Sequence, residues 1–201
     1  MGKTSSIVGL ENIVYAKLIE DNEQGVQYGE VKKFAPAITA GVETAQESAT
    51  QYADNGPVAV ATQIGETTLS LTVTAIPQEV LADILGQEKK RGVIAYKQDA
   101  VPPYVALGFT GTKDDGEKRM VWLTKGRFSI PSDEWNTKED SPEFQPQEIE
   151  GTFIRRDFDR VFKIVGDTDE EEFKELADTF FDEVFDVSQL GDTPDDPPVE
   201  G

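Results

Sequence analysis

The segment Thr68–Ala75 alternates strictly between hydroxyl-bearing and apolar residues. Successive side chains of a β-strand point to opposite faces of the sheet, so this alternation predicts a strand with one dry face and one hydroxyl-rich face. The dry face carries Leu69, Leu71, Val73 and Ala75, and the other face carries Thr68, Ser70, Thr72 and Thr74. Such a strand suits an antiparallel sheet that covers a core on one side only.

Other stretches rich in β-branched and aromatic residues predict further strands. They cover residues 12–19, 92–96, 104–110, 119–125, 149–156 and 160–165. A short helix is predicted over 77–85, because Pro77 suits a first helical turn and Gly86 suits a C-terminal stop. Together these patterns predict a mainly β protein, with one antiparallel β-sandwich or barrel domain over residues 1–166 and a short flanking helix.

The residues after 166 differ in composition from this domain. They hold 14 acids and one base, Lys174, and so carry −13 of the chain's net charge of −20. Thr168 and Glu171 fit a capping box, and apolar residues recur at helical spacing, namely Phe173, Leu176, Ala177, Phe180 and Val184. We therefore predict an amphipathic acidic helix over 167–186, followed by a disordered acidic tail over 187–201.

The composition also excludes several classes of function. The chain has no His and no Cys, which excludes Ser-His-Asp triads, disulfides and zinc sites built from imidazole or thiolate. The net charge argues against a protein that grips nucleic acid, because backbone phosphates repel an acidic surface. With no long apolar run and no apolar leader, we expect no membrane anchor and a protein made in a cytoplasm. No residue pattern indicates a catalytic, metal or cofactor site.

Residues 43–60 do not fit an ordinary core segment. They are polar and rich in small residues, and Asp54-Asn55-Gly56-Pro57 predicts a turn among them. We expect a long loop between two strands. Such loops are either mobile or used for contacts, and both interpretations stay open on the residues alone.

The ordered series of these elements resembles the major tail tube protein of long-tailed bacteriophages with flexible, non-contractile tails. The matching elements are the strand after Gly9-Leu10-Glu11-Asn12, the loop sequence from Glu43-Thr44 to Asp54-Asn55, the Thr-rich strand 66–75, the helix ending at Leu85-Gly86, and Pro102-Pro103-Tyr104. The resemblance covers about residues 8–166. It rests on the series and not on one diagnostic motif.

This resemblance implies a structural virion protein of the tail-tube fold that is not an enzyme and holds no cofactor. Six copies would close into a ring, rings would stack into a tube, and DNA would pass through the channel without specific binding. The implied partners are other copies of the chain and the tape-measure, tail-initiator and tail-terminator proteins, first in the host cytoplasm and then in the virion. By resemblance, the contacts between subunits and rings lie at Glu43, Thr44, Gln46, Gln51, Tyr52, Asp54, Asn55 and Val58.

Within that expectation, the hydroxyl face of Thr68, Ser70, Thr72 and Thr74 is wet, either in the lumen or at a subunit junction. Two other classes of function stay open. One is a β-sandwich binding module of a tail or cell-surface structure, which would recognise a receptor or carbohydrate through exposed aromatics on loops and for which Trp135 is the sole candidate. The other is a carboxylate-based hydrolase, which needs two acids that converge in a cleft.

Overall fold

The computed structural model describes residues 5–53, 56–133, 137 and 145–190. Within them the chain forms two α-helices, α1 (Gln78–Leu85) and α2 (Glu171–Ala177), one 3₁₀ turn (Val187–Gln189) and eleven strands. The strands are β1 (Ile7–Asn22), β2 (Gly25–Tyr28), β3 (Lys32–Lys33), β4 (Ala37–Ala53), β5 (Gly56–Val73), β6 (Glu88–Lys90), β7 (Val93–Ala95), β8 (Val105–Lys113), β9 (Lys118–Phe128), β10 (Gln147–Ile154) and β11 (Lys163–Asp167). The prediction of a mainly β, antiparallel protein is confirmed.

Nine of these strands form one sheet in the order β2-β1-β8-β9-β10-β5-β4, with β3 pairing β1 and β11 pairing β9. The pairings are antiparallel throughout, and short turns join β1 to β2 and β8 to β9. One of these turns is Asp114-Asp115-Gly116 between β8 and β9, where Gly116 has a φ of 88°. The strands β6 and β7 form a separate small hairpin.

The main core lies on one face of this sheet. Its buried side chains come from strands near both ends of the sheet order, including Tyr15 of β1, Leu107 of β8, Leu123 of β9 and Leu71 of β5. Since these residues pack together, the sheet curls so that its two ends enclose one apolar interior. The predicted alternation is present in β5, where Leu69, Leu71 and Val73 are buried.

Helix α1 closes this interior. It spans the predicted Gln78–Leu85, its apolar side chains are buried, and Gly86 ends it in the left-handed conformation with a φ of 63°. Asp83 fastens the helix to the sheet, because Lys17 and Lys32 lie 2.6 and 2.9 Å from its carboxylate oxygens and Tyr15 Oη donates to it at 3.0 Å.

A second core lies on the outer face of β1, β8 and β9. There the C-terminal segment, residues 171–190, covers Ala16, Ala106 and Trp122 with the rings of Phe180 and its neighbours. The indole Nε1 of Trp122 donates to the Phe180 carbonyl at 3.0 Å. The acidic C-terminal segment is therefore packed on the β domain and forms part of its structure.

This segment differs from the helix predicted over 167–186. Helix α2 spans only Glu171–Ala177; Phe180 and Phe181 follow it in a turn, and Val184 lies in irregular chain beyond that turn. The predicted capping box is also wrong: Thr168 Oγ1 donates to Glu117 and accepts from the amide of Lys118. Of the tail predicted to be disordered over 187–201, Val187–Gln189 form a 3₁₀ turn, and 191–201 lie outside the described residues.

Candidate assembly surface

The segment predicted as a long loop over 43–60 is a β-hairpin instead. Strands β4 and β5 have 17 and 18 residues and pair from Ala37↔Val73 to Ala53↔Gly56. Strands in globular proteins usually have about 5–6 residues, so more than half of this hairpin is in excess of what a small sheet uses. Its first strand was missed because residues 43–51 are polar or small on both faces, which removes the period-two signal.

The hairpin leaves the body of the protein at a hydrogen-bonded pair of threonines. Thr44 Oγ1 and Thr67 Oγ1 lie 3.0 Å apart, and Thr67 is fully buried. Beyond this pair, residues 45–50 and 59–66 are exposed on both faces. At about 3.3 Å per residue, the part from Gln46 to Ala53 projects roughly 25 Å. We call residues 45–66 the projecting hairpin.

The projecting hairpin carries apolar side chains that are more than half exposed. A bulge between Thr44 and Gln46 precedes the outer register, in which Gln46 pairs with Ile64 and Thr50 with Val60. Ile64 and Val60 are four residues apart in β5, and side chains alternate along a strand, so the two lie on the same face of the hairpin. They are 56% and 66% exposed, which is unusual for side chains of this type within a strand.

The hairpin also has unpaired backbone edges. Strand β10 pairs with β5 only up to Phe153↔Thr67, so residues 56–66 of β5 have no strand on that side among the described residues. Strand β4 is the last strand in the sheet order, and its outer edge is open along its length in the same described region. Open edges of this length are templates for pairing with another chain.

The contact residues assigned by resemblance fall on this hairpin in part. Glu43 and Gln46 are exposed, and Thr44 is half-buried at the hairpin base. Gln51, Tyr52 and Val58 lie in the outer strands, with no side-chain placement described. Asp54 and Asn55 lie outside the described residues, as does Trp135, on which the binding-module alternative depended.

The hydroxyl face of β5 is open to solvent. Ser70 and Thr74 are exposed, and Thr68 and Thr72 are half-buried. The expected strand end was wrong by two residues, since β5 stops at Val73, Ala75 is exposed, and Ile76 is buried in its place.

Acidic side chains of the neighbouring strands share this face. Glu148 and Glu150 of β10 oppose Thr72 and Ser70, and Glu43 of β4 opposes Thr68. Strands β4, β5 and β10 contain no Lys or Arg at all. The exposed face of these three strands is therefore hydroxyl-rich and acidic.

A second apolar surface lies where the starts of β1 and β4 face each other. A groove of about 350 Å³ there is lined by Ile7, Leu10, Ile38, Phe109 and Val121 among others. Ile7 and Val8 are 55% and 69% exposed, and Ile38 is 55% exposed. The sequence predicted β1 only from residue 12, so this extension and its exposed side chains were missed.

The described residues offer little to a catalytic interpretation. Six carboxyl groups have a shifted pKa, and in each of them the pKa is lowered, as for carboxylates held by cations or amides. A general acid needs the opposite shift. Within the described part of the chain, no group of three or more acidic side chains is placed to hold a metal ion.

No helix in the described ranges is long and apolar enough to cross a membrane. No protein-family model matches the chain, and no curated protein matches it either. The geometry of the hairpin and of the acidic face must therefore carry the functional argument.

Proposed function

We propose that this chain is a structural protein of the tail-tube type, which polymerises through its projecting hairpin into rings and a tube that conducts DNA. The observation that carries the proposal is the hairpin itself, in which 45–50 and 59–66 are exposed and both outer edges are unpaired by any strand among the described residues. A two-stranded hairpin is marginally stable in water by itself, so strands of this length and exposure are typical of an element completed by another chain.

Polymerisation follows from the symmetry of such a contact. An edge of β4 and an edge of β5 are different surfaces, so pairing between copies would be heterologous and not two-fold symmetric. Heterologous contacts close into a ring when the rotation between copies allows it. A closed ring leaves no strand edge open to further pairing, which removes the aggregation hazard of the monomer.

The acidic, hydroxyl-rich face suits the wall of a channel. The other outer face of the sheet is covered by the C-terminal segment, which leaves the surface of β4, β5 and β10 as the candidate lumenal face. A wall with Glu148 and Glu150, formed by strands that contain no cations, repels phosphates, so DNA would slide along it without being held. Passage of DNA, six-fold rings, and partnership with tape-measure, initiator and terminator proteins are parts of this proposal that rest on resemblance.

Electron microscopy of the purified protein tests the proposal. Negative staining across a concentration series, with and without tail-initiator components, should reveal rings or tubes with a stain-filled central channel. A protein that stays strictly monomeric at high concentration, and is also unable to extend from initiator components, would refute it.

A shortened hairpin provides the matched variant. Replacing residues 47–63 with Asn-Gly joins Gln46 to Ile64, which are already register partners, through a two-residue turn. Of the removed residues only Thr62 and Gln63 border the described body, and both are exposed, so the variant should unfold within a few degrees of the wild type and yet fail to form rings or tubes. Unchanged assembly of this variant would show that the hairpin is not the contact element.

A further inference from the structure

A groove of about 620 Å³ lies between the base of the projecting hairpin and the connection from β10 to β11. It is lined on one side by Thr62, Gln63, Ile64 and Gly65, and on the other by Ile154, Arg155, Arg160 and Phe162. We call it the basic groove. It plays no part in the contacts described so far.

The basic groove runs along a strand edge. Side chains alternate between the faces of a strand, so a groove lined by four consecutive residues of β5 borders its edge and not one of its faces. This is the edge that β10 leaves unpaired after Thr67. Backbone donors and acceptors are thus available to an extended segment that enters the groove.

Two cations flank this edge without a partner. Arg155 and Arg160 are exposed and form no ion pair within the described ranges of the chain. The nearest acids in sequence are engaged elsewhere, since Asp157 lies 2.8 Å from Lys125 and Asp159 lies 2.6 Å from Arg156. In a chain with twice as many acids as bases, two unpaired arginines beside an open edge indicate a site for an acidic strand.

We propose that the basic groove binds the outer edge of β4 from a second copy of the chain. That strand meets three requirements: its edge is open, it is extended over 17 residues, and it carries acids but no Lys or Arg. From Thr44↔Thr67 to Gln46↔Ile64 the extra residue of the bulge is on β5, so β4 keeps its alternation. Its Glu43 and Glu47 therefore lie on one face, about 13 Å apart, and pair with Arg155 and Arg160 of the receiving copy. Ile64 of the receiving copy and Ile154 become covered in the same contact.

This inference deepens the proposed function, on which it rests for the identity of the partner, by naming the acceptor surface. The pairs set the register, because a shift of the incoming strand by one residue turns both glutamates to the other face. A fixed register gives every junction the same rotation, which is the condition for closing a ring of defined size.

Charge reversal with complementation tests the pairing. The groove variant, Arg155→Glu with Arg160→Glu, and the hairpin variant, Glu43→Arg with Glu47→Arg, should each lose sedimenting assemblies at the concentration where the wild type forms them. An equimolar mixture should regain them, because every junction in an alternating ring then joins opposite charges. The chain with all four substitutions should also assemble alone.

The control carries the same change in net charge away from the groove. Lys33→Glu with Arg91→Glu alters two exposed cations that do not line it, and should assemble within about twofold of the wild-type critical concentration, since an isolated surface charge contributes little. Thermal unfolding verifies that each variant is folded. If the groove variant assembles normally, or if folded variants stay apart when mixed, the inference is refuted while the tube proposal stands. If the wild type itself never assembles, both are refuted.

Discussion

Phe180→Ala, which removes one ring of the C-terminal segment, should lower the stability of the whole β domain and not only of that segment. Phe180 is 1% exposed, and the rings of Phe173, Phe181 and Phe185 lie around it with centroids 5.1, 5.3 and 5.0 Å away. Phe→Ala changes in a packed core lower the free energy of unfolding by about 3–5 kcal/mol. Because Phe180→Ala also removes three ring contacts, we expect a loss in the upper half of that range. In a chain of this size, about 4 kcal/mol corresponds to a fall in Tm of roughly 8–16 °C.

Urea denaturation followed by tryptophan fluorescence and by far-UV circular dichroism measures this change. Trp122 packs against Phe181 and bonds the Phe180 carbonyl, so its fluorescence reports the docking of the segment directly. Leu190→Ala, at a side chain 49% exposed, is the control and should change the free energy of unfolding by less than about 0.5 kcal/mol. A loss below about 1 kcal/mol for Phe180→Ala, with an unchanged m-value, would show that the segment is not part of the cooperative core.

Three further predictions concern the packing and charges of the β domain. Gly108→Ala should lower the free energy of unfolding by about 1–3 kcal/mol in urea titrations, because the new Cβ would lie 2.6 Å from the Phe181 ring; a neutral result would contradict that close packing. Asp159→Ala should lower the free energy of unfolding by about 3 kcal/mol in the same assay, because it removes the ion-pair partner of the fully buried Arg156. Stability equal to that of the wild type would refute this prediction. Burial acts to raise the pKa of Asp83, but hydrogen bonds from two lysines and a tyrosine outweigh it and lower the pKa. Its stabilising contribution is therefore complete above about pH 4 and is lost as the pH falls further, so Asp83→Asn should weaken the pH dependence of Tm below pH 4, and an unaltered dependence would refute this assignment.

Local sequence signals were sufficient to predict the elements whose position is determined by nearby residues. Helix α1 matches its predicted range because its stop is local: Gly86 adopts a left-handed conformation that other residues rarely take. A strand was predicted over 68–75, and its part 68–73 lies in β5, because one face there is buried and the other is wet, which imposes period two on the residues.

Tertiary contacts decided the elements that were mispredicted. The phenylalanines after α2 recur at helical spacing, yet the chain turns so that Phe181 lies against Gly108, a glycine 73 positions earlier in the sequence. No local pattern records that contact. The projecting hairpin was missed for a different reason, because a strand exposed on both faces has no apolar period from which its register or length could be predicted.

The contact segment assigned by resemblance stays a prediction, and its structure could not be predicted from the sequence. Glu43 and Gln46 were placed in a contact segment, yet only the structure identifies that segment as two paired strands and reveals the arginines at its base. Arg155 and Arg160 are far from the hairpin in sequence, and no local pattern distinguishes them from Arg156, which is buried and paired. That neither arginine forms an ion pair with the described residues depends on the fold and not on local sequence.

The net negative charge of the chain disfavours contact between copies, whereas its open strand edges favour it. The proposed assembly accommodates both. A sheet edge is usually protected by Lys, Pro or a short length, and this chain has 17-residue and 18-residue edge strands with no Lys or Arg in either. Protection of the monomer must then come from like charge, which repels other copies at distances up to about 8 Å at physiological ionic strength. Such repulsion does not depend on the register in which two strands would pair. In the proposed junction, by contrast, two arginines beside one edge attract an acidic strand in a single register. Non-specific pairing is thus disfavoured and one junction is permitted, which is what a polymer of defined geometry requires of its subunit.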